Sequence, residues 1–271
     1  MTTADRVHQG PGSWIRRFHP VAHSAAAPVL VVLPHAGGNA SFYFPLSRDL
    51  AARAEVLTVQ YPGRQERLAE TAPDTVAGLV DGVERALLPW RDRPLVLFGH
   101  SMGAVLAYEL TRRLEARGAG PRGLVVSARR SPLVARAPET VHLRDDDALL
   151  AHVAALSGTD PALLADPEFR ELILPALRAD YRAIETYRHE PGRPPLRTPV
   201  SVLLGESDPR ASVADAMGWR ELTEAAFTFR GFPGGHFYLA DHHEAVTRAL
   251  TEDLTAFTSP ARPDGPVPPR G

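Results

Sequence analysis

The segment Leu95-Val96-Leu97-Phe98-Gly99-His100-Ser101-Met102-Gly103-Ala104 constrains this chain more than any other. A run of four apolar residues with strand character leads straight into Gly-x-Ser-x-Gly. Val105, Leu106, Tyr108, Leu110 and Leu114 then recur at helical spacing. A strand that becomes a helix within so few residues needs a strained residue at the turn and small residues on either side of it. Gly99 and Gly103 meet the second need, because a side chain at either position would collide with neighbouring backbone. Ser101 therefore reads as a nucleophile held clear of a sheet edge, with the positive end of the following helix directed at whatever it attacks.

Such a serine needs a base, and the base needs an orienting carboxylate. The order Ser, acid, His puts both downstream. Val200–Gly205 reads as a buried strand that ends in Glu206-Ser207-Asp208-Pro209, at the edge where parallel sheets gather functional residues. Asp208 is the candidate orienter and Glu206 the alternative on the same turn. Ala225–Arg230 reads as the last strand, followed by Gly231-Phe232-Pro233-Gly234-Gly235-His236. His236, on a loop behind two glycines, is the candidate base.

Most other histidines read as bland: His8, His19 and His23 precede the core, and His242 and His243 are expected in solvent on the last helix. His100 fills the variable position of the pentapeptide as a packing residue. An oxyanion needs two N–H donors. Met102, just after the nucleophile, is one; Ala36, in the Pro34-His35-Ala36-Gly37-Gly38 loop after the strand Val29–Leu33, is the other.

Strand patterns near 29–33, 55–59, 95–98, 123–127, 200–204 and 225–230 alternate with helical ones near 41–53, 74–89, 103–117, 212–222 and 240–257. Trp14–Phe18 adds a possible first strand. The alternation predicts an α/β fold, a mostly parallel sheet with helices on both faces. The rhythm breaks between residues 131 and 195, where two or more helical patterns, 145–156 and 167–188 among them, replace the next strand. An insertion there leaves and re-enters at the edge that carries Ser101, so it is expected to form a helical lid. The globular unit is read as 14–257, with polar or proline-rich tails at 1–12 and 258–271 expected to be disordered.

Composition sets the outer bounds. A net charge of −2 gives no general attraction to nucleic acid or an anionic membrane. With no cysteine, disulfides, thiolate metal sites and cysteine nucleophiles are excluded. Nothing in the proposed chemistry calls for a metal or organic cofactor. No signal-like opening and no apolar run of about 18 residues is present, so a soluble, cytoplasmic chain is expected.

Several phrases together resemble one family. Pro34-His35-Ala36-Gly37-Gly38, Gln60-Tyr61-Pro62-Gly63-Arg64-Gln65-Glu66-Arg67, the Ser101 pentapeptide, Ser127-Ala128-Arg129-Arg130-Ser131-Pro132, Asp208-Pro209, Trp219-Arg220 and Gly234-Gly235-His236-Phe237-Tyr238-Leu239 look like type II thioesterases. These are editing hydrolases of polyketide and nonribosomal peptide assembly lines. The resemblance covers about residues 14 to 257. It implies an α/β-hydrolase fold with a helical lid, a triad of Ser101, Asp208 and His236, and no cofactor. The implied substrate is an acyl group on the phosphopantetheine arm of an acyl or peptidyl carrier protein. Tyr61 and Ser131 depart from the leucine and alanine frequent in that family and are candidates for an influence on substrate preference.

Arg64, Arg67, Arg129, Arg130 and Arg136 lie on loops where an acidic carrier could dock; solvated arginines, or a pair between Glu66 and Arg64 or Arg67, are the plainer alternative. A carboxylesterase or lipase, an acyltransferase or cyclising thioesterase, and a non-catalytic carrier-binding protein would share this fold.

Overall fold

A computed structural model describes residues 13–22, 24–135, 137, 139–156 and 161–259. The expected tail 1–12, the expected tail from 260 onward, His8, His23 and Arg136 lie outside the described residues. Thr258 closes the last helix instead of opening a tail.

Among the described residues seven strands form one sheet: β1 (Ile15–Arg16), β2 (Val29–Leu33), β3 (Glu55–Val59), β4 (Leu95–His100), β5 (Gly123–Ser127), β6 (Val200–Gly205) and β7 (Phe227–Phe232). Their spatial order is β1-β3-β2-β4-β5-β6-β7. Every neighbouring pair is parallel except β1–β3, where Ile15 lies opposite Val59. The helices are α1 (Phe44–Leu50), α2 (Val76–Ala86), α3 (Met102–Ala116), α4 (Asp146–Ala154), α5 (Pro161–Ala165), α6 (Pro167–Thr186), α7 (Val213–Met217), α8 (Tyr238–Asp241) and α9 (His243–Thr258).

The apolar runs of the strands follow from this topology, because a parallel strand covered on both faces has no solvent side. In β2, Val29, Val31 and Leu33 pack with Leu79 and Val83 of α2 and Leu106 and Leu110 of α3. Leu30 and Val32 point the other way, onto Leu46 and Leu50 of α1 and Val246 and Leu250 of α9. Successive side chains thus feed two separate cores, and each fully buried Leu or Val contributes about 1.5–3 kcal/mol. β7 closes one edge and is only half-buried, which its alternation of Phe with Thr, Arg and Gly anticipates.

β4 occupies the middle of the sheet, so the residue after it emerges at the centre of the carboxyl edge. The interval 131–195 builds a third cluster above that edge. Val141, Leu149, Leu150, Leu164, Leu177 and Tyr181 form its core. Glu185 of α6 fastens its start by accepting hydrogen bonds from the Val141 and His142 N–H groups at 2.9 and 3.0 Å. The two helical patterns of the sequence are α4 and α6. The five-residue α5 was not legible, since one turn and a half carries no periodicity.

Candidate active site

Ser101 has φ 55° and ψ −112°, a strained conformation for a residue with a side chain. It is over-determined by its surroundings. The Ser101 N–H donates to Ser127 O at 2.8 Å, pinning the turn to β5. A Cβ on Gly99 would lie 2.1 Å from Gly103 O, and one on Gly103 would lie 2.0 Å from Leu33 O. Only glycine at both positions lets β4, the turn and α3 approach so closely.

The loops after β6 and β7 are joined along their backbones. Glu206 N donates to Phe232 O at 2.8 Å and Ser207 N to Gly234 O at 2.9 Å. Gly205 sits so close to Gly235 O that a Cβ would be 2.2 Å away. This junction delivers Asp208 to His236. Both are buried, and the His236 Nδ1–H faces Asp208 Oδ1 and Oδ2 at 3.0 and 2.9 Å. Arg210 N donates to Asp208 Oδ1 at 2.8 Å and fixes the carboxylate from its other side. With Nδ1 donating, Nε2 is the acceptor for the Ser101 hydroxyl, 2.9 Å away. Glu206 is exposed and far from this line, its carboxylate turned toward Gly231. The sequence candidates Ser101, His236 and Asp208 therefore meet in one hydrogen-bonded chain, and Glu206 does not join it.

Ala36 and Met102 flank Ser101 on the β2 loop and at the start of α3. Among the described residues neither N–H has a hydrogen-bond acceptor. The glycine amides of the same loop are occupied: Gly38 N bonds His35 O at 3.0 Å, and Gly37 N bonds Asp180 Oδ2 at 2.8 Å. Asp180, on α6, has no solvent exposure. Arg64 meets it with two N–H groups, at 2.7 and 3.0 Å, and donates to Gly38 O at 3.0 Å. Sequence reading missed this pair, although Asp180 falls at helical spacing with the apolar Leu177 and Ile184 and so had to be buried.

That contact corrects the reading of the loop arginines. Arg64 and Arg67 are buried and cannot meet a partner. Arg67 holds Glu70 with both Nε and Nη2 and donates to Gln60 O at 2.7 Å. Glu66 pairs with Arg16 instead of either. His243 is likewise partnered, its Nε2 lying 2.7 Å from Asp49 Oδ2, and is half-buried rather than solvated. Tyr61 is buried under the loop after β2, where its hydroxyl donates to Pro34 O at 3.2 Å. Ser131 lines a cavity described below.

Two more histidines crowd the site. His100 is buried as a packing residue, with Nδ1 2.9 Å from Ser127 Oγ, which in turn lies 2.6 Å from the Tyr238 hydroxyl. The His35 ring packs edge-on against Phe237 at 4.8 Å, and Phe237 packs against His236 at 5.3 Å. Beside this aromatic wall a cavity of about 610 Å³ opens between Ala36 and Phe237 below and Leu163, Phe169, Ile173 and Tyr181 above. Among the described residues no cluster of side chains could hold a metal ion. No helix there is long and apolar enough to cross a membrane.

Comparison with known proteins agrees with this geometry. The thioesterase domain family matches residues 28–254. The chain belongs to the thioesterase family. It is 48% identical over 254 residues to a probable cadicidin biosynthesis thioesterase of Streptomyces griseus, covering 94% of this chain and 68% of that one. It is 46% identical over 245 residues to thioesterase PikA5 of Streptomyces venezuelae, covering 90% and 86%. The structure of the type II thioesterase BorB of the borrelidin biosynthetic cluster matches with a TM-score of 0.82 at 45% identity, over 89% of this chain and 97% of that one. The fold is accordingly that of the α/β-hydrolases, and the chain is a thioester hydrolase.

The buried histidines give this thioesterase a pH signature. Burial, helped by the neighbouring His236 and Arg64, pushes His35 down to about 3. Burial likewise holds His100 well below the ordinary value of 6.5. The unfolded chain takes up a proton on each ring below about pH 6.5, while the folded chain resists, so their stabilising effect is complete above that pH and is lost as pH falls toward 3. Urea midpoints measured between pH 7.5 and 4.5 should drop with acid, and His35→Gln should flatten the slope. An unchanged slope would show that His35 does not carry the effect.

Proposed function

We propose that this thioesterase frees acyl groups from the phosphopantetheine arm of acyl or peptidyl carrier proteins, clearing stalled or wrongly loaded sites of a polyketide or nonribosomal peptide assembly line in the cytoplasm. The hydrogen-bonded chain Ser101–His236–Asp208, with Phe237 next to the base lining a neighbouring cavity, is the observation that carries this reading. Likeness to a cadicidin biosynthesis thioesterase and to the type II thioesterase of the borrelidin cluster supports the substrate class.

In the proposed reaction His236 Nε2 takes the Ser101 proton as Oγ bonds the thioester carbon. The Ala36 and Met102 N–H groups receive the charge that develops on the carbonyl oxygen. Collapse breaks the C–S bond, and the departing thiol takes its proton from His236. Water, deprotonated by the same ring, then attacks the acyl-serine; the acid leaves and Ser101 regains its proton. Asp208 fixes the ring orientation and stabilises its cationic form throughout.

Residues 131–195 act as the lid in this reading, and the cavity of about 610 Å³ is the acyl chamber. Asp180 and Arg64 hold the roof helix and the Ala36 loop together, so the chamber wall and the oxyanion donors share one anchor.

Release of free acid and carrier thiol from a panel of acylated carrier proteins tests the reading. Hydrolysis should proceed with wild type and fall by at least about 10³-fold in Ser101→Ala. Retention of most activity in the alanine variant would remove Ser101 from its role. A second variant addresses the chamber. Ile173→Trp should cut kcat/KM for long acyl chains by about 10-fold or more while leaving acetyl and propionyl within about 2-fold. An equal loss for all chain lengths would contradict the assignment.

A further inference from the structure

A second cavity, of about 420 Å³, lies under the C-terminal half of α6, bounded by Tyr181, Ile184 and Glu185 of that helix and by Val105 of α3. Tyr181 lines both cavities and stands between them. The character of the two differs. Where the first is mostly apolar, the second is lined by Arg129, Arg130, Arg188 and Arg210 against only Glu139 and Glu185. Glu185 is engaged with the amides at the start of the lid interval. Glu139 is shared by Arg130, at 3.8 Å, and Arg210.

Arg129 is different. Among the described residues its guanidinium has no carboxylate within ion-pair distance and no side-chain hydrogen bond. Its backbone is nonetheless held firmly, since Trp219 Nε1–H donates to Arg129 O at 2.8 Å. Burial, with Arg130 and Arg210 close by, pushes the group down to about 10, so it remains charged at neutral pH. A half-buried cation beside two others is costly unless an anion arrives to offset it. Its place in the chain also matters. Arg129 stands two residues beyond Ser127, whose carbonyl pins Ser101, and Arg210 stands two beyond Asp208.

We propose that this second cavity is an anion subsite on the substrate path, in which Arg129, flanked by Arg130 and Arg210, takes an anionic oxygen group carried by the thioester. The proposal rests on the thioesterase reading above and adds to it a charge requirement. A planar guanidinium fits carboxylate and phosphate oxygens equally well. The group is therefore either the phosphate of the pantetheine arm or a carboxylate on the acyl chain.

Four small substrates separate these sources: propionyl-phosphopantetheine against propionyl-pantetheine, and malonyl-pantetheine against acetyl-pantetheine. In the wild type, kcat/KM should favour the anionic member of one pair by about 10- to 100-fold. Arg129→Gln should bring that ratio near one while leaving the neutral substrates unchanged, and Arg129→Lys should restore part of it. The pair that responds names the source. Ratios near one in the wild type, or a loss in Arg129→Gln that is equal for all four, would overturn the proposal. Should no thioester be hydrolysed by folded wild type, the function reading fails by itself. Titration calorimetry with phosphopantetheine and with malonate then still tests the subsite. Binding of either that Arg129→Gln abolishes upholds it; binding of neither, or binding the variant retains, overturns it.

Discussion

Arg64 and Asp180 make a buried, bidentate ion pair in which the carboxylate has no solvent exposure. The pair joins three parts of the chain that are distant in sequence. Arg64 comes from the loop after β3, Asp180 from the roof helix α6, and both bond the Gly37–Gly38 backbone after β2. Removing one partner of such a pair strands a buried charge, at a cost of about 3–5 kcal/mol. The Ala36 loop thus keeps its shape because a helix from the inserted interval holds it. Lifting α6 at this point would leave the Asp180 carboxylate unpaired.

The same helix lines both cavities, through Tyr181. On the β2 side its apolar residues face the cavity bounded by Phe237 and Phe169. On the β5 and β6 side its last turns face arginines. Tyr181 lies at the boundary, one residue from Asp180. The two cavities thus differ in polarity, the first mostly apolar and the second lined by arginines.

Much of this was legible in the sequence, and the reasons differ from residue to residue. Gly99 and Gly103 exposed the elbow because only glycine allows backbone contacts near 2 Å from a would-be Cβ. Asp208 and His236 could be singled out as candidates because strand ends are easy to read and the chain order of such triads is fixed, and the structure brings both to Ser101. The paired arginines were not. A loop arginine looks solvated until its partner is known, and the partners of Arg64 and Arg67 are Asp180, 116 residues away, and Glu70. His243 was misjudged for the same reason, its partner Asp49 lying 194 residues earlier. Periodicity reports which face of a helix is buried, but long-range pairing of charges leaves little trace in one sequence.

Acylation of Ser101 during turnover is the central chemical claim. It is tested most directly by mixing enzyme with excess propionylated carrier protein, quenching with acid in the first turnovers, and mapping the adduct by peptide mass spectrometry. A burst of carrier thiol, equal to the enzyme concentration and matched by a propionyl group on the Ser101 peptide, is the predicted result. A thiol burst with the propionyl group on another residue, or with none on Ser101, would contradict it.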